Sequence, residues 1–581
     1  MISFRPGTPS HDLSVLRLLR PGPRQAAALA AAIIAATALP LAAPQITRRF
    51  VDDAIGGAGT DHLTVVAAGY LALAVAGQAA RMVTAWLAGR LAWDGTNRLR
   101  ERLTEHALGL DMDYHGRHTP GEMIERVDGD VVAVADFVVA FLLDVVASAL
   151  LLAGVVVIVF GVDWRIGCAL LAYCLLVGFG MVRAQRLAVP SAARSRAASA
   201  TLFGNLEERL AGVEDLRANG AGAHTVRRFH QISAALYRAE VKDARVGTSL
   251  LAGTSVAFAA GTAIMLALAA WTLQSGALTV GTVVLLFQYT LMVRTPFERL
   301  IDQIRQYQAA LAGLARIGDL LAERRTLPAP ARPAVLPATG PLGLRLDGVG
   351  FTYPGDDEQV LSGISLTLAP GEKLGLVGRT GSGKTTLARL VLRLQDPSEG
   401  AVRVGGLDLR EVGPASLRER IGVVTQDVRL FSASLRDNLT LFRPSPDDER
   451  LREILVGVGL GDWLDGLPDG LDTEIRGVSA GQAQLIAFAR AFLADPGLVV
   501  LDEASSRLDP ATERRIERSV ARLLDGRTGV IIAHRLSSLS RVDKIAVLDH
   551  GKIIEYGRRA DLAADPHSRF GRLLDLAGVS R

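Results

Sequence analysis

The segment Leu374-Gly375-Leu376-Val377-Gly378-Arg379-Thr380-Gly381-Ser382-Gly383-Lys384-Thr385-Thr386-Leu387 carries three local signals in a row. Leu374–Val377 is a short apolar run of strand type, a glycine-rich stretch follows, and a helical pattern begins at Leu387. A strand that leaves through G-x-x-x-x-G-K-[ST] into a helix is a phosphate-binding loop in its required setting. The glycines let backbone N–H groups wrap phosphates, and the helix N-terminus adds a favourable dipole. Residues Gly378, Arg379, Thr380, Gly381, Ser382, Gly383, Lys384, Thr385 and Thr386 are therefore candidates for nucleotide contact. Lys384 would reach the β- and γ-phosphates, and Thr385 would ligate Mg²⁺. A chance glycine-rich turn would lack the flanking strand and helix.

Downstream, the apolar strand Leu498-Val499-Val500-Leu501 ends in Asp502-Glu503. An acidic residue leaving a buried parallel strand is placed to hold the metal in a phosphate-loop fold, which points to Asp502. Glu503, one position on, can polarise an attacking water as general base. The bland alternative is a solvated loop carboxylate. Upstream, Arg324–Leu342 contains Pro328, Pro330, Pro333, Pro337 and Pro341, a density that excludes helix and favours an extended spacer. After it, short β-type runs alternate with helical ones, the signal of a parallel-sheet α/β domain over residues 343–581.

Before residue 300 the chain is different in kind. Hydrophobic residues make up 49% of its 581 residues, and the mean hydropathy is +0.27. Disorder is excluded by that apolar content, and a disulfide scaffold by the presence of only Cys168 and Cys174, both in an apolar run. The net charge of +4 is too small to argue for nucleic acid, and lysine occurs only at 242, 373, 384, 544 and 552. That bias, with heavy Ala and Gly usage, reads as genome composition. The apolar residues collect in six runs, near 25–46, 64–88, 134–160, 166–182, 249–273 and 280–293. A spanning helix takes about 20 mostly apolar residues, so the fourth and sixth must continue into more polar sequence. Six runs in series favour membrane spans over buried core helices. The first is longer than the roughly 7–15-residue core of a signal peptide and is read as a retained span; its start near residue 25 leaves no room for an N-terminal peptidase domain.

Loop charge orients the bundle. Arg5, Arg17, Arg20 and Arg24 precede the first span, and arginines crowd the stretches between spans two and three and between spans four and five. The positive-inside rule places the N-terminus, both long loops and everything after the sixth span in the cytoplasm. Both loops are rich in helix formers, so the spans should run on past the membrane and turn at short cross-helices near Asp111–Gly121 and Gly204–Gly212.

With these elements in place the chain resembles a half-transporter of the ATP-binding cassette (ABC) exporter family over nearly its whole length. The most specific resemblance is the signature Val478-Ser479-Ala480-Gly481-Gln482, where the family's usual form has leucine first and glycine third. Ser479 and Gln482 also have capping-box spacing, and a capped helix start with free N–H groups is an anion site. The resemblance implies that Ser479, Ala480, Gly481 and Gln482 face the γ-phosphate held by a second subunit. It further implies that Tyr353 stacks on adenine, that Gln426 contacts Mg²⁺ and water, that Asp509 crosses the dimer interface, and that His534 contacts the γ-phosphate beside the catalytic Glu503. Thr385, Gln426 and Asp502 would be the metal set. Arg507 stands where the family usually has alanine, and the stretch before the signature is a few residues short.

The expected architecture is an all-α transmembrane domain of six helices with long cytoplasmic extensions (1–323), a Pro-rich linker (324–342) and an α/β P-loop nucleotide-binding domain (343–581). The expected activity is an ATPase coupled to export, with ATP and Mg²⁺ as cofactors, in a multi-pass bacterial inner membrane. The partners would be a second half-transporter, identical or not, membrane lipid, and a small-molecule, lipid or peptide substrate, with no nucleic acid. Polar residues within spans cost about 2.5–3.5 kcal/mol for Asp or Arg at a helix centre, so Gln78, Arg81, Asp144 and Gln288 are candidates for the cavity wall; Arg81 and Asp144 have a structural pairing as the alternative. The apolar remainder suits an amphipathic or lipid-like cargo. Two other readings remain: a partner subunit with limited hydrolysis, for which Ala480 and the short stretch before the signature leave room although Glu503 and His534 favour an active site, and a siderophore importer of the same architecture, which nothing in the sequence selects.

Overall fold

In the computed structural model, residues 22–274, 278–328, 330–502, 510–533 and 536–577 are described. They form two compact units. The first comprises residues up to Leu108 together with Pro120–Glu323, and the second comprises Gly109–Thr119 together with Arg324 onward.

The first unit is all helix: α1 (Pro23–Ile55), α2 (Thr60–Leu108), and, after the short α3 (Met112–Arg117) of the second unit, α4 (Pro120–Val162), α5 (Trp164–Ala211), α6 (Val213–Ala218), α7 (Gly222–Gln274), α8 (Val280–Met292) and α9 (Arg294–Ala322). Among the described residues five of these helices, and the stretch Val280–Leu300 that joins α8 to α9, are long and apolar enough to cross a membrane. Helix α2 has 49 residues and α7 has 53, about 75–80 Å at 1.5 Å per residue, far beyond a hydrocarbon core of about 30 Å. The apolar runs thus mark only the middle of each helix. The fourth run continues through Ala211, and the sixth passes Val293 directly into α9.

The second turn falls at Gly212, the last residue of the expected window, and its cross-helix follows directly. Leu202–Leu210 stays helical because Leu, Glu and Arg dominate it; the break comes at Gly212, and the cross-helix is α6. The first cross-helix is α3, inside the expected 111–121 window. Asp163 caps α5 by accepting from Arg165 N–H at 2.7 Å, and Asp52 caps α8 by accepting from Gly281 N–H at 2.9 Å. The interior holds Val155, Ile166, Leu170, Leu285 and Tyr289, and the Tyr289 hydroxyl donates to Leu41 O at 2.6 Å.

The second unit contains two sheets. Strands β1 (Leu344–Thr352), β2 (Gln359–Leu368), β4 (Glu399–Val404) and β5 (Leu407–Asp408) form an antiparallel sheet in the order β2-β1-β4-β5. Strands β3 (Lys373–Gly378), β6 (Ile421–Val424), β7 (Leu498–Asp502), β8 (Thr528–Ile532), β9 (Lys544–Asp549) and β10 (Lys552–Arg558) form the other, in the order β10-β9-β3-β8-β7-β6. All its pairings are parallel except β10 with β9. A parallel sheet buried on both faces needs near-continuous apolar strands, and β7 and β8 are buried almost end to end. Helices α10 (Lys384–Val391), α11 (Ala480–Ala494) and α12 (Pro510–Leu524) are the ones that bear on the site.

Candidate nucleotide site

The phosphate loop leaves the carboxyl end of β3, at the centre of the parallel sheet, where ligands of open α/β folds bind. Register places Leu376 of β3 and Asp502 of β7 opposite the same residue, Ile532 of the intervening β8. The loop and the acidic strand end therefore lie at the same edge of the sheet. Two glycines show why the loop excludes side chains. A Cβ on Gly378 would meet Leu548 O at 2.4 Å, and one on Gly383, whose φ is +100, would meet Leu361 Cδ2 at 2.6 Å.

Lys384 is 6% exposed. Its ammonium folds back onto the loop, donating to Gly378 O at 2.8 Å and Arg379 O at 2.9 Å. The Ser382 hydroxyl is buried without a hydrogen-bond partner among the described residues. A buried cation beside a buried, unsatisfied hydroxyl and a helix N-terminus is a site suited to an anion, and the residues present fit a nucleotide phosphate chain. Thr385 is exposed at the start of α10 and Gln426 is exposed just past β6. Among the described residues no three His, Cys, Asp or Glu side chains gather to hold a metal. A set of one hydroxyl, one amide and one carboxylate fits Mg²⁺, which takes few protein ligands and completes its shell with phosphate and water.

Tyr353 follows β1 and stands against α10: its hydroxyl lies 3.0 Å from Thr386 Oγ1 and accepts from Arg389 Nη1 at 3.3 Å. Its ring is edge-on to Phe351 at 4.9 Å. The tyrosine thus flanks the helix that begins with Lys384. The signature helix α11 has the capping box expected of it: Ser479 Oγ accepts from Gln482 N–H at 3.2 Å, and Ser479 N–H donates to Gln482 Oε1 at 2.9 Å. Ser479 and Ala480 are exposed, Gln482 is half-buried and Gly481 is buried, so this helix end is open at its first residues. Glu503, Asp509 and His534 lie outside the described residues.

In the first unit a cavity of about 520 Å³ is lined by Arg81, Asp144, Arg299 and apolar side chains that include Ile33, Leu143 and Leu151. Arg81 Nε donates to Gln78 Oε1 at 3.1 Å rather than to Asp144. Asp144 instead accepts from Gln303 Nε2 at 3.1 Å and lies 3.5 Å from Arg299 Nη1. Asp144 sits in a π-helical turn, Phe141–Val146, a distortion that often marks functional positions. Gln288 is half-buried on α8 and is not among the cavity's lining residues. Arg299 and Gln303 escaped the sequence reading because they follow the last apolar run; the signal that would have found them is the unbroken helical pattern across Val293.

Comparison with known proteins settles the family. The model of the ABC transporter transmembrane region matches residues 27–297, and the ABC transporter model matches residues 361–506. An ATP-dependent lipid A-core flippase of Thiobacillus denitrificans is 33% identical over 492 residues, covering 83% of each chain. This chain belongs to the ABC transporter family. A multidrug efflux ATP-binding/permease protein of Mycobacterium bovis is 32% identical over 538 residues, 90% of this chain and 44% of that longer protein. The fold matches a bacterial Atm1-family ABC exporter solved with ATP bound, at a TM-score of 0.78 and 24% identity, over 98% of this chain and 99% of that one. The protein is an integral membrane ABC exporter half-transporter. It binds nucleotide, its ATPase is coupled to transport, and half-transporters of this kind work as dimers.

Proposed function

We propose that the chain pairs with a second half-transporter, and that ATP held between Lys384 of one subunit and Ser479 of the other closes the pair and shifts the membrane helices between two access states. A ligand shifts such an equilibrium only by its differential affinity for the two states, and moving it from about 1:99 to 99:1 takes roughly 5.5 kcal/mol, which two shared nucleotides can supply. Thr385, Gln426 and Asp502 would hold Mg²⁺, which neutralises charge on the β- and γ-phosphates. Glu503 would take the proton of the attacking water, His534 would hold the γ-phosphate, Tyr353 would stack on adenine, and Asp509 would meet the opposite subunit.

The cargo we propose is amphipathic or lipid-like. The observation that carries this is the cavity of about 520 Å³ in the first unit, where Arg81, Asp144 and Arg299, with the hydroxyls of Thr37, Thr84, Ser148 and Thr295, stand against apolar side chains such as Ile33, Leu143 and Leu151. The lipid A-core flippase and multidrug efflux relatives support the same class. Arg81 and Asp144 would contact the polar end of the cargo, with Gln78 orienting Arg81; Gln288 has less support, since it lies off the cavity.

The test is transport and ATPase activity of wild type against Glu503→Gln in proteoliposomes, using a fluorescent phospholipid as the probe. The variant is expected to bind ATP and barely turn over; near-normal turnover removes Glu503 from the role of base. Unchanged phospholipid-stimulated ATPase in Arg81→Ala and Asp144→Ala removes the cavity assignment. Ala480 favours a second reading, a subunit whose partner does most of the hydrolysis. A purified chain without ATPase that regains it with a partner would establish that reading instead.

A further inference from the structure

Helix α3 lies in the chain between the second and third spanning helices, yet it packs within the second unit. Asp113 of α3 accepts a hydrogen bond from Gln395 Nε2. Asp111, which precedes the helix, accepts from Thr326 N–H, from the Thr326 hydroxyl at 3.0 Å and from Leu327 N–H at 3.0 Å. Thr326 and Leu327 belong to the start of the linker. The next linker residue, Pro328, offers its carbonyl to Arg393 Nη2 at 3.0 Å. The same guanidinium donates to Val412 O at 3.1 Å and to the Asp396 carboxylate at 3.2 Å. The short turn 393–396 therefore grips the cross-helix through Gln395 and the linker through Arg393, while Asp111 ties those two to each other.

The turn is an unusual place for such residues. Arg393 is 6% exposed and adopts φ +46, a left-handed conformation that costs energy in any residue with a Cβ. A buried guanidinium persists only when its donors are met, and here one of the acceptors is the linker. Gln395 is 5% exposed, and its Oε1 has no hydrogen-bond partner among the described residues. A buried amide satisfied at one end only is a group with a second arrangement open to it. The turn closely follows α10, an eight-residue helix whose first residue is Lys384. At 1.5 Å per residue, about 12 Å of rigid helix separates the phosphate-contacting ammonium from this turn.

We propose that the 393–396 turn makes the start of the linker a second strut, beside α3, through which the nucleotide site acts on the rest of the chain. Nucleotide contact at the N-terminus of α10 displaces its far end, and Arg393 and Gln395 carry Pro328 and Asp113 with it. Both act as positioning residues, away from substrate and phosphate. The inference rests on the ATPase and is independent of the cargo.

Hydrogen exchange of the full chain in lipid nanodiscs, with and without ATP, Mg²⁺ and vanadate, tests it. In the wild type, trapping should slow exchange in peptides covering 324–328 as well as 112–117. Gln395→Leu should abolish the response in 112–117 and leave that in 324–328. Asp111→Ala should weaken the response in 324–328, whereas Asp111→Asn, which keeps an acceptor oxygen, should retain it. Basal ATPase should stay within about twofold in all three, since none touches phosphate, and a purely structural lesion would instead lower exchange protection everywhere. An unresponsive linker peptide in the wild type overturns the proposal, as do full responses in both Gln395→Leu and Asp111→Ala.

Discussion

The ion pair between Asp130 of α4 and Arg316 of α9 makes a prediction whose sign is set by unequal burial. Arg316 Nε donates to Asp130 Oδ2 at 2.8 Å and its Nη2 donates to Oδ1, a two-pronged contact. The Asp130 side chain is 2% exposed and that of Arg316 is 47% exposed. Removing the aspartate releases a guanidinium that already reaches water, so Asp130→Asn should cost about 1 kcal/mol, the worth of one charge-assisted bond in place of a neutral one. Removing the arginine leaves a carboxylate buried without its cation, for which the typical cost is about 3–5 kcal/mol; the exposed arginine end places this pair near the lower bound, about 3 kcal/mol. The double variant should then be more stable than Arg316→Ala alone, by roughly 1–2 kcal/mol, because it deletes the stranded charge. The assay is the midpoint of SDS unfolding in mixed micelles, followed by tryptophan fluorescence, with the chain's 5 tryptophans as reporters. If Arg316→Ala proves as mild as Asp130→Asn, or if adding Asp130→Asn makes it worse, the burial argument is wrong.

Three further outcomes follow from the nucleotide unit. Gly378→Ala should lower ATP affinity and ATPase by more than about tenfold, because the new Cβ meets the Leu548 carbonyl at 2.4 Å and neighbouring backbone cannot yield; fluorescent-nucleotide titration and phosphate release read it. Ser479→Ala should keep the fold but lose about 1 kcal/mol of helix-start stability along with ATPase, read by activity and by thermal midpoint, since the cap bonds Gln482 N–H. Burial pushes the Glu372 carboxyl up, but the Lys544 ammonium at 2.7 Å and Ala369 N–H at 2.8 Å outweigh it and hold it below the usual carboxylate range. Its folded value lies under its unfolded one, so its contribution is present above the ordinary value near 4.3 and is lost as pH falls through the folded value. The thermal midpoint gap between wild type and Glu372→Gln should be open at pH 7, worth about 1 kcal/mol or less at this partial exposure, and closed in stronger acid.

Much of the nucleotide site was legible because its chemistry is local. A strand, a glycine-rich loop and a helix occupy consecutive residues from Leu374, and each leaves its own mark in apolar run, Gly spacing and helical pattern; the separate signature helix is marked by Ser479 three before Gln482. The spans were legible for a similar reason, since about 20 apolar residues in a row have few other uses. What was not legible is where those helices stop. Beyond the membrane the helical face is ordinary polar sequence, so the continuation of the sixth run was expected but not its end at Ala322, and the cross-helix α6 lies just past the expected window.

Composition and short-range pattern suffice to specify the kind of machine: six apolar helices joined by a proline-rich linker to a phosphate-loop domain. The pairings emerge once the helices pack. Asp144 takes Arg299 and Gln303 rather than Arg81, Asp130 takes Arg316, and Asp113 takes Gln395, across separations of 155, 159, 186 and 282 residues. The physical reason is that a charge's partner is chosen by which helix faces pack together, and packing of that range leaves no periodicity or spacing in the chain to read.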